Sequence, residues 1–182
     1  MKNRSVRYLT AFDTGMIAPT LNFIVSFAFA LILHELGHLT AARLCDIPVN
    51  EVGLGWGPKI LQRRFEGLNW QLRLFPIGAF VRMDMRVLQL RSLHQQLFVL
   101  GAGIGVNLIL AILAWGTLFG VLNLGLAIGN CIPLYQQDGW KGAIVLSRKL
   151  LGRPNRLVEW TVTIFGGLFA LGIFTKAVLN AW

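Results

Sequence analysis

The sequence predicts a polytopic α-helical membrane protein, with about four transmembrane helices and a short interfacial or re-entrant β-rich segment after the first. Three observations predict it. The 182-residue chain is 55% hydrophobic and 14% charged, where a soluble domain carries about 25% charged residues. A stretch of 43 residues from Gln95 to Gln137 holds no Asp, Glu, Lys or Arg, about twice the roughly 20 that one crossing needs. The third is HELGH, His34 to His38, inside the apolar run LNFIVSFAFALILHELGHLTAARL. Ionisable groups at the centre of a membrane helix cost roughly 2.5–3.5 kcal/mol each on insertion scales, so a chain that carries them there has a use for them.

The elements follow in order. Lys2, Arg4 and Arg7 precede an apolar run, a layout shared with signal peptides. The run is long enough to span, however, and HELGH continues it, so residues 18–44 read as the first span. Asp46 and Pro48 end that helix. Residues 49–83 mix short β-prone runs with Gly, Pro and charge. Leu61 to Phe65 and Trp70 to Phe75 read as strands joined around Glu66-Gly67, within a region of two to four short strands. Gly53, Gly55, Gly57 and Pro58 mark an irregular turn or re-entrant piece. Residues 84–94 read as an interfacial amphipathic helix. The charge-free stretch divides into spans at 97–119 and 122–140, with Gly120, Asn123 and Gly125 supplying the turn. Pro133 and Asp138-Gly139 break or distort the third span. Residues 141–156 are basic and helical until Gly152-Arg153-Pro154, and the last span covers 157–181. The whole, 1–182, reads as a single domain.

A net charge of +9 raises a nucleic-acid reading. The basic residues lie beside apolar spans, so they read as topology charges, and no nucleic-acid partner is expected. Thirteen of the 17 Lys and Arg fall in the loops after the first and third spans, and four fall on the other side. The asymmetry places both loops in the cytoplasm, both termini outside, and HELGH towards the cytoplasmic half of the bilayer, as in a bacterial inner membrane. Cys45 and Cys131 have no metal-ligand or redox spacing and read as packing residues. Nothing in the chain indicates an oligomeric state.

HELGH carries the chemistry. Histidines four apart share one helix face, and the HExxH pattern sets two imidazoles on one zinc ion with a glutamate beside them as general base. A catalytic zinc takes three protein ligands, so a third ligand lies elsewhere. His94 reads as solvated or interfacial. Asp138, an acidic residue in an apolar context, reaches the depth of His34 and His38 if the third span enters the cytoplasmic leaflet there. The plainer reading of Asp138 is a helix cap.

On these residues the chain resembles the site-2 protease family of intramembrane zinc metalloproteases along most of its length. HELGH matches the family's HExxH. Asn130, Pro133, Asp138 and Gly139 in NCIPLYQQDG match NxxPxxxxDG. Ala102 to Asn107, AGIGVN, is similar to AGPxxN, and GLGWGPKI and FPIGAFVRM are similar to the GFGP and PLGGYV pieces of the family's β region. Ile104, Ala79 and Gln137 depart from the common Pro, Gly and Leu. The resemblance implies one zinc ion held by His34, His38 and Asp138, with Glu35 as the catalytic base. It also implies that Asn107, Asn130 and Pro133 lie by the substrate, a single-span membrane protein or signal-peptide remnant cut in or near its membrane segment. The chain would be a minimal core without the PDZ or CBS domain of many relatives. A non-proteolytic scaffold that binds transmembrane helices is the alternative, but a pure scaffold has no need of Glu35, which is not a ligand. A transporter would line a path across the membrane with polar groups, and the outer half of these spans offers little beyond Asn22, Ser26, Thr117 and Asn123.

Overall fold

The computed structural model describes residues 4–180. A long helix α1 (Arg4–Leu44) is followed by two paired strands, β1 (Val49–Phe65) and β2 (Leu68–Met83). Five helices complete the order: α2 (Met85–Leu90), α3 (Leu93–Leu113), α4 (Leu118–Cys131), α5 (Asp138–Leu151) and α6 (Arg156–Leu179). Three helical stretches among the described residues are long and apolar enough to cross a membrane: Ile17–Leu44, Leu93–Leu113 and Arg156–Ile173. Helix α4 is apolar but has 14 residues, about 21 Å at 1.5 Å per residue, and does not reach across a hydrocarbon core of about 30 Å alone.

Several expected boundaries move. The second span begins at Leu93 and ends at Leu113, not 97–119. The turn after it is at Ala114–Thr117, not at Gly120, Asn123 and Gly125. Gly116 takes a left-handed φ of +78°, and the Thr117 hydroxyl caps α4 by accepting from the Gly120 amide at 3.1 Å. Gly120 serves packing instead, since a Cβ there would meet the Ala114 carbonyl. The expected third span, 122–140, is two helices with an irregular, turn-containing connection at 132–137, because Pro133 cannot continue a helix. The interfacial helix is shorter than 84–94. Asp84 caps α2 by accepting from the amides of Arg86 and Val87. Ser92 and Gln95 then form a reciprocal capping box that starts α3, which puts His94 on α3, exposed.

The β region is the expected hairpin and more. Phe65 pairs with Leu68 around Glu66-Gly67, and the register runs back to Leu61 and Leu72. Glu51–Leu54 pair a second time. On one side they meet Ala79–Arg82 with opposed numbering, and on the other Asn69–Leu72 with numbers rising together. The run 49–54 is therefore central, and 61–65 and 79–83 are edges. Gly55, Gly57 and Gly78, each with φ near +93°, allow the strands to bend back on themselves. The cross-strand pairs put Val52, Leu54, Leu61, Leu72, Ala79 and Val81 on one face. The opposite face carries Gln71, Arg73, Phe80 and Arg82, with both guanidinium groups over the Phe80 ring. The apolar face turns to α1. Leu68 and Val52 pack on Leu39, while Leu54, Leu61 and Ala79 border a groove with Ile32. The sheet therefore runs beside α1 for about 10 Å, the rise from Leu39 back to Ile32.

Helices α1 and α3 approach closely through small residues: a Cβ on Gly37 would meet the Ala102 carbonyl and the Val106 side chain. Ala41, Ala42, Val99, Leu100 and Leu88 close the core at the C-terminal end of α1. Helix α5 starts against the end of α4, with Gly139 facing the Cys131 carbonyl, and stops at Gly152 in the left-handed conformation. Helix α6 docks through a Trp140 Nε1 to Thr163 Oγ1 hydrogen bond of 2.8 Å, an Arg148–Glu159 ion pair of 2.8 Å, and Gly166 laid on the Pro133 carbonyl.

That last contact is testable. Gly166→Val places a Cβ where the Pro133 backbone already stands, whereas Gly167→Val meets open space. Overpacking costs about 1–3 kcal/mol. Thermal unfolding in detergent should show a melting temperature several degrees lower for Gly166→Val and unchanged for Gly167→Val.

Candidate metal centre

Helix α1 places His34 and His38 one turn apart on the face turned to α3 and α5, both about 5% exposed. Asp138, 7% exposed, is the first residue of α5. The break at 132–137 is what delivers it: the chain leaves α4, turns through Leu134–Gln137, where the Gln137 amide donates to the Leu134 carbonyl at 2.9 Å and Gln136 takes a left-handed φ of +70°, and restarts with Asp138 facing α1. Asp138 Oδ2 lies 3.1 Å from His34 Nε2 and 3.0 Å from His38 Nε2, and the two Nε2 atoms are 3.2 Å apart.

The tautomers follow from the outer partners. His34 Nδ1 lies 2.8 Å from Asn107 Oδ1, and His38 Nδ1 lies 2.8 Å from the Val99 carbonyl oxygen. Both oxygens can only accept, so each Nδ1 carries the proton and each Nε2 of a neutral ring presents a lone pair. Two nitrogen lone pairs and a carboxylate oxygen thus converge on one buried point. Without a cation this is repulsive; with one it is a ligand set. The separations agree with that reading. Zinc bonds of about 2.0–2.1 Å in a tetrahedron put ligand atoms roughly 3.3 Å apart. Space is kept by Gly103 of α3, where a Cβ would lie 2.5 Å from His38 Nε2 and 2.6 Å from His34 Nε2. Asp138 Oδ1, the other oxygen, accepts from Lys141 Nζ at 3.1 Å, which fixes the carboxylate with one oxygen aimed at the histidines. Among the described residues these three form a group able to hold a metal ion.

Glu35 follows His34 on α1, half-buried. Its carboxylate makes no hydrogen bond or ion pair with another described residue, and it lines the two cavities that flank the centre. Asn107, expected beside a substrate, is fully buried behind His34. Asn130 donates to the Leu126 carbonyl of its own helix at 3.0 Å, and Pro133 sits in the break under α6. Neither side chain hydrogen-bonds to His34, His38 or Asp138 among the described residues. His94 lies outside the cluster. Three contributors escaped the sequence reading: Gly103, the Val99 carbonyl and Lys141. Gly103 lies within AGIGVN, where only Asn107 reads as a site residue. Lys141 was counted as a topology charge, though its i+3 spacing from Asp138 is the signal of a helix ion pair.

A buried His-His-carboxylate set with an adjacent unligated glutamate, the histidines and the glutamate on a membrane-length helix and the aspartate at the start of α5, makes a candidate metal centre of the metallopeptidase type. The comparisons with known proteins agree. The family described as Peptidase family M50 matches residues 22–121, more than half of the chain, and the chain belongs to it. This is the site-2 protease family whose motifs the sequence carries. A "putative zinc metalloprotease" of Clostridium perfringens is 34% identical over 115 residues, 59% of this chain and 32% of its own length. A like-named protein of Campylobacter jejuni is 32% identical, over 60% of this chain and 34% of its own. The chloroplastic membrane metalloprotease ARASP of Arabidopsis thaliana is 29% identical, over 70% of this chain and 31% of its own. The chain thus spans about a third of the length of the curated relatives it matches. The family match stops short of Asp138, so that residue joins the cluster on the geometry together with the NxxPxxxxDG resemblance.

Zinc content by elemental analysis checks the centre. Gly103→Ala should lose bound metal with helical content unchanged. Asp138→Ala should lose it too; undiminished zinc there would remove Asp138 from the ligand set. Asn107→Ala should weaken zinc affinity by about 10–100-fold, the usual effect of losing an outer partner of a ligating histidine.

Proposed function

We propose that the protein is an intramembrane zinc metalloprotease that hydrolyses peptide bonds in or near the membrane segments of single-span proteins or signal-peptide remnants. The observation that carries the reading is Glu35, a carboxylate free of partners beside three converging ligand atoms. His34, His38 and Asp138 would hold a zinc ion, which when bound would supply Lewis-acid chemistry, acidifying water and polarising a carbonyl. Glu35, next to His34 on the same helix, is placed to accept a proton at its carboxylate and to pass it to a departing amine. Asn107 and the Val99 carbonyl keep both rings in the tautomer that ligation needs, and Lys141 holds Asp138 in place.

A helical substrate hides its carbonyls in its own hydrogen bonds, so the segment must unwind to be cut. The edge run 79–83 borders the cleft that holds Asp138 and Lys141, and its unpaired backbone suits an extended segment added as a further strand. Asn130 and Pro133 shape the break beside it. The fourth crossing would use α4, about 21 Å of helix, with the turn-containing link 132–137 and the start of α5 completing it. Four crossings put both termini on one side, and the Lys and Arg asymmetry favours the outside for them and the cytoplasmic half of a bacterial inner membrane for the centre.

Reconstituted with a single-span substrate, the wild-type protein should cleave. Glu35→Gln should retain zinc and lose at least about 10²-fold in rate, within the usual contribution of a general base. Equal cleavage by both would end the proposal. With Phe65→Cys, a membrane-impermeant maleimide should label only from the cytoplasmic side; labelling from outside would invert the topology.

A further inference from the structure

Two cavities meet at Glu35, and they differ in character. The first, about 450 Å³, is a groove between α1 and the apolar face of the sheet, walled by Ile32, Leu36, Leu54, Leu72, Ala79 and Val81. Trp70 and the stem of Arg63 complete that wall. The second, about 640 Å³, is a cleft that also borders Glu35, takes in His38 and Asp138, and mixes polar groups (Asn50, Glu51, Asn69, Arg82 and Lys141) with apolar ones (Phe80, Met83, Met85 and Leu100). Glu35 and Val81 border both. Along α1 the groove lies at Ile32–Leu36, towards the middle of the span, and the cleft lies at Glu35–His38, towards the end of the helix at Leu44. A chain passing from groove to cleft over Glu35 therefore passes from an almost wholly apolar wall to one that also offers polar partners, in the direction in which a membrane segment leaves the bilayer.

We infer that this site selects a junction: the extended stretch where an apolar membrane segment gives way to a polar flank, the apolar side chains seated against Leu54, Leu72 and Ala79, the flank in the cleft. The inference rests on the proteolytic reading for the reaction and on the two cavities for the choice of segment. An apolar side chain gains by leaving water or headgroups for the groove. The same side chain in the cleft would strip water from Asn50, Asn69 and Arg82 without replacing their hydrogen bonds. A polar residue in the groove meets the converse penalty. The two penalties fix the register of the segment at Glu35. The cleft's charges are already matched: Arg82 lies 3.1 Å from Glu51, and Lys141 lies 3.1 Å from Asp138. The flank is thus read for polarity and not for sign. Ala79, at a position where the family commonly has Gly, narrows the groove by one methyl group and so limits the size of side chain it takes.

The test uses Glu35→Gln protein in lipid nanodiscs and three synthetic peptides of equal length: an apolar–polar junction, an all-apolar segment and an all-polar one. The junction peptide should bind at least about tenfold more tightly than either of the others, on the scale of burying one large apolar side chain. Exchanging Lys for Glu in its flank should change affinity less than about twofold. Ala79→Phe, which fills the groove, should weaken junction binding about tenfold while zinc content stays at the parent level, which shows that the protein is folded. A photo-crosslinking residue at Leu72 should mark the apolar side of the junction, and one at Asn69 the polar side. Equal binding of the all-apolar peptide, no binding of any peptide, or crosslinks that ignore the junction would each overturn the inference. Cleavage is scored separately with wild-type protein. Junction binding without cleavage would defeat the proteolytic reading and leave this one standing, and cleavage at sites unrelated to a junction would do the reverse.

Discussion

Three electron-rich atoms held within 3.2 Å of one another at a buried point are the constraint on which the rest of the structure depends. Left alone they repel. Each neighbouring element answers that problem. Helix α3 contributes Gly103, whose missing side chain leaves the volume a cation needs. The same helix supplies the two oxygens, from Asn107 and Val99, that turn both imidazoles the right way. The break after α4 exists to bring a carboxylate from the far part of the chain to α1. Lys141, half-exposed, leaves that carboxylate with one oxygen committed and one free. Removing any of these changes where a lone pair points, which matters more to a ligand set than the stability the contact contributes.

The sheet sets a second surface beside α1, distinct from that of the neighbouring helices. Its two faces differ because alternation along a strand is strict, and its bends at Gly55, Gly57 and Gly78 keep the apolar residues on one side across the irregular register. One face can then lie against α1 and the other stay with polar partners. The result is a wall that changes character within a few residues of Glu35.

How much of this could be read from the residues varies with the range of the interaction. His34, Glu35 and His38 were legible because helix periodicity alone puts the histidines on one face. The hairpin at Glu66-Gly67 was legible from turn chemistry. Asp138 needed a motif, since nothing local separates a ligand from a helix cap. The boundaries of α3 and α4 were misplaced because Gly120 and Gly125 read as turn residues, whereas glycine in a membrane helix often serves close packing. The actual signal, Gly116 followed by the capping hydroxyl of Thr117, sits inside an unbroken apolar stretch. The Val99 carbonyl could not have been found, because a backbone oxygen has no letter in the sequence.

The separation of the ligands along the chain has a consequence for biosynthesis. His34 and Asp138 are 104 residues apart, and α3 and α4 lie between them. A nascent chain that has inserted α1 and the sheet holds two histidines and the glutamate but no complete cage. The candidate metal site is complete only once α3 has docked and the link after α4 has brought Asp138 to α1, because ligands must be brought together before they bind. A nascent fragment that ends before Asp138 therefore carries the HELGH motif without the third side chain of the cluster.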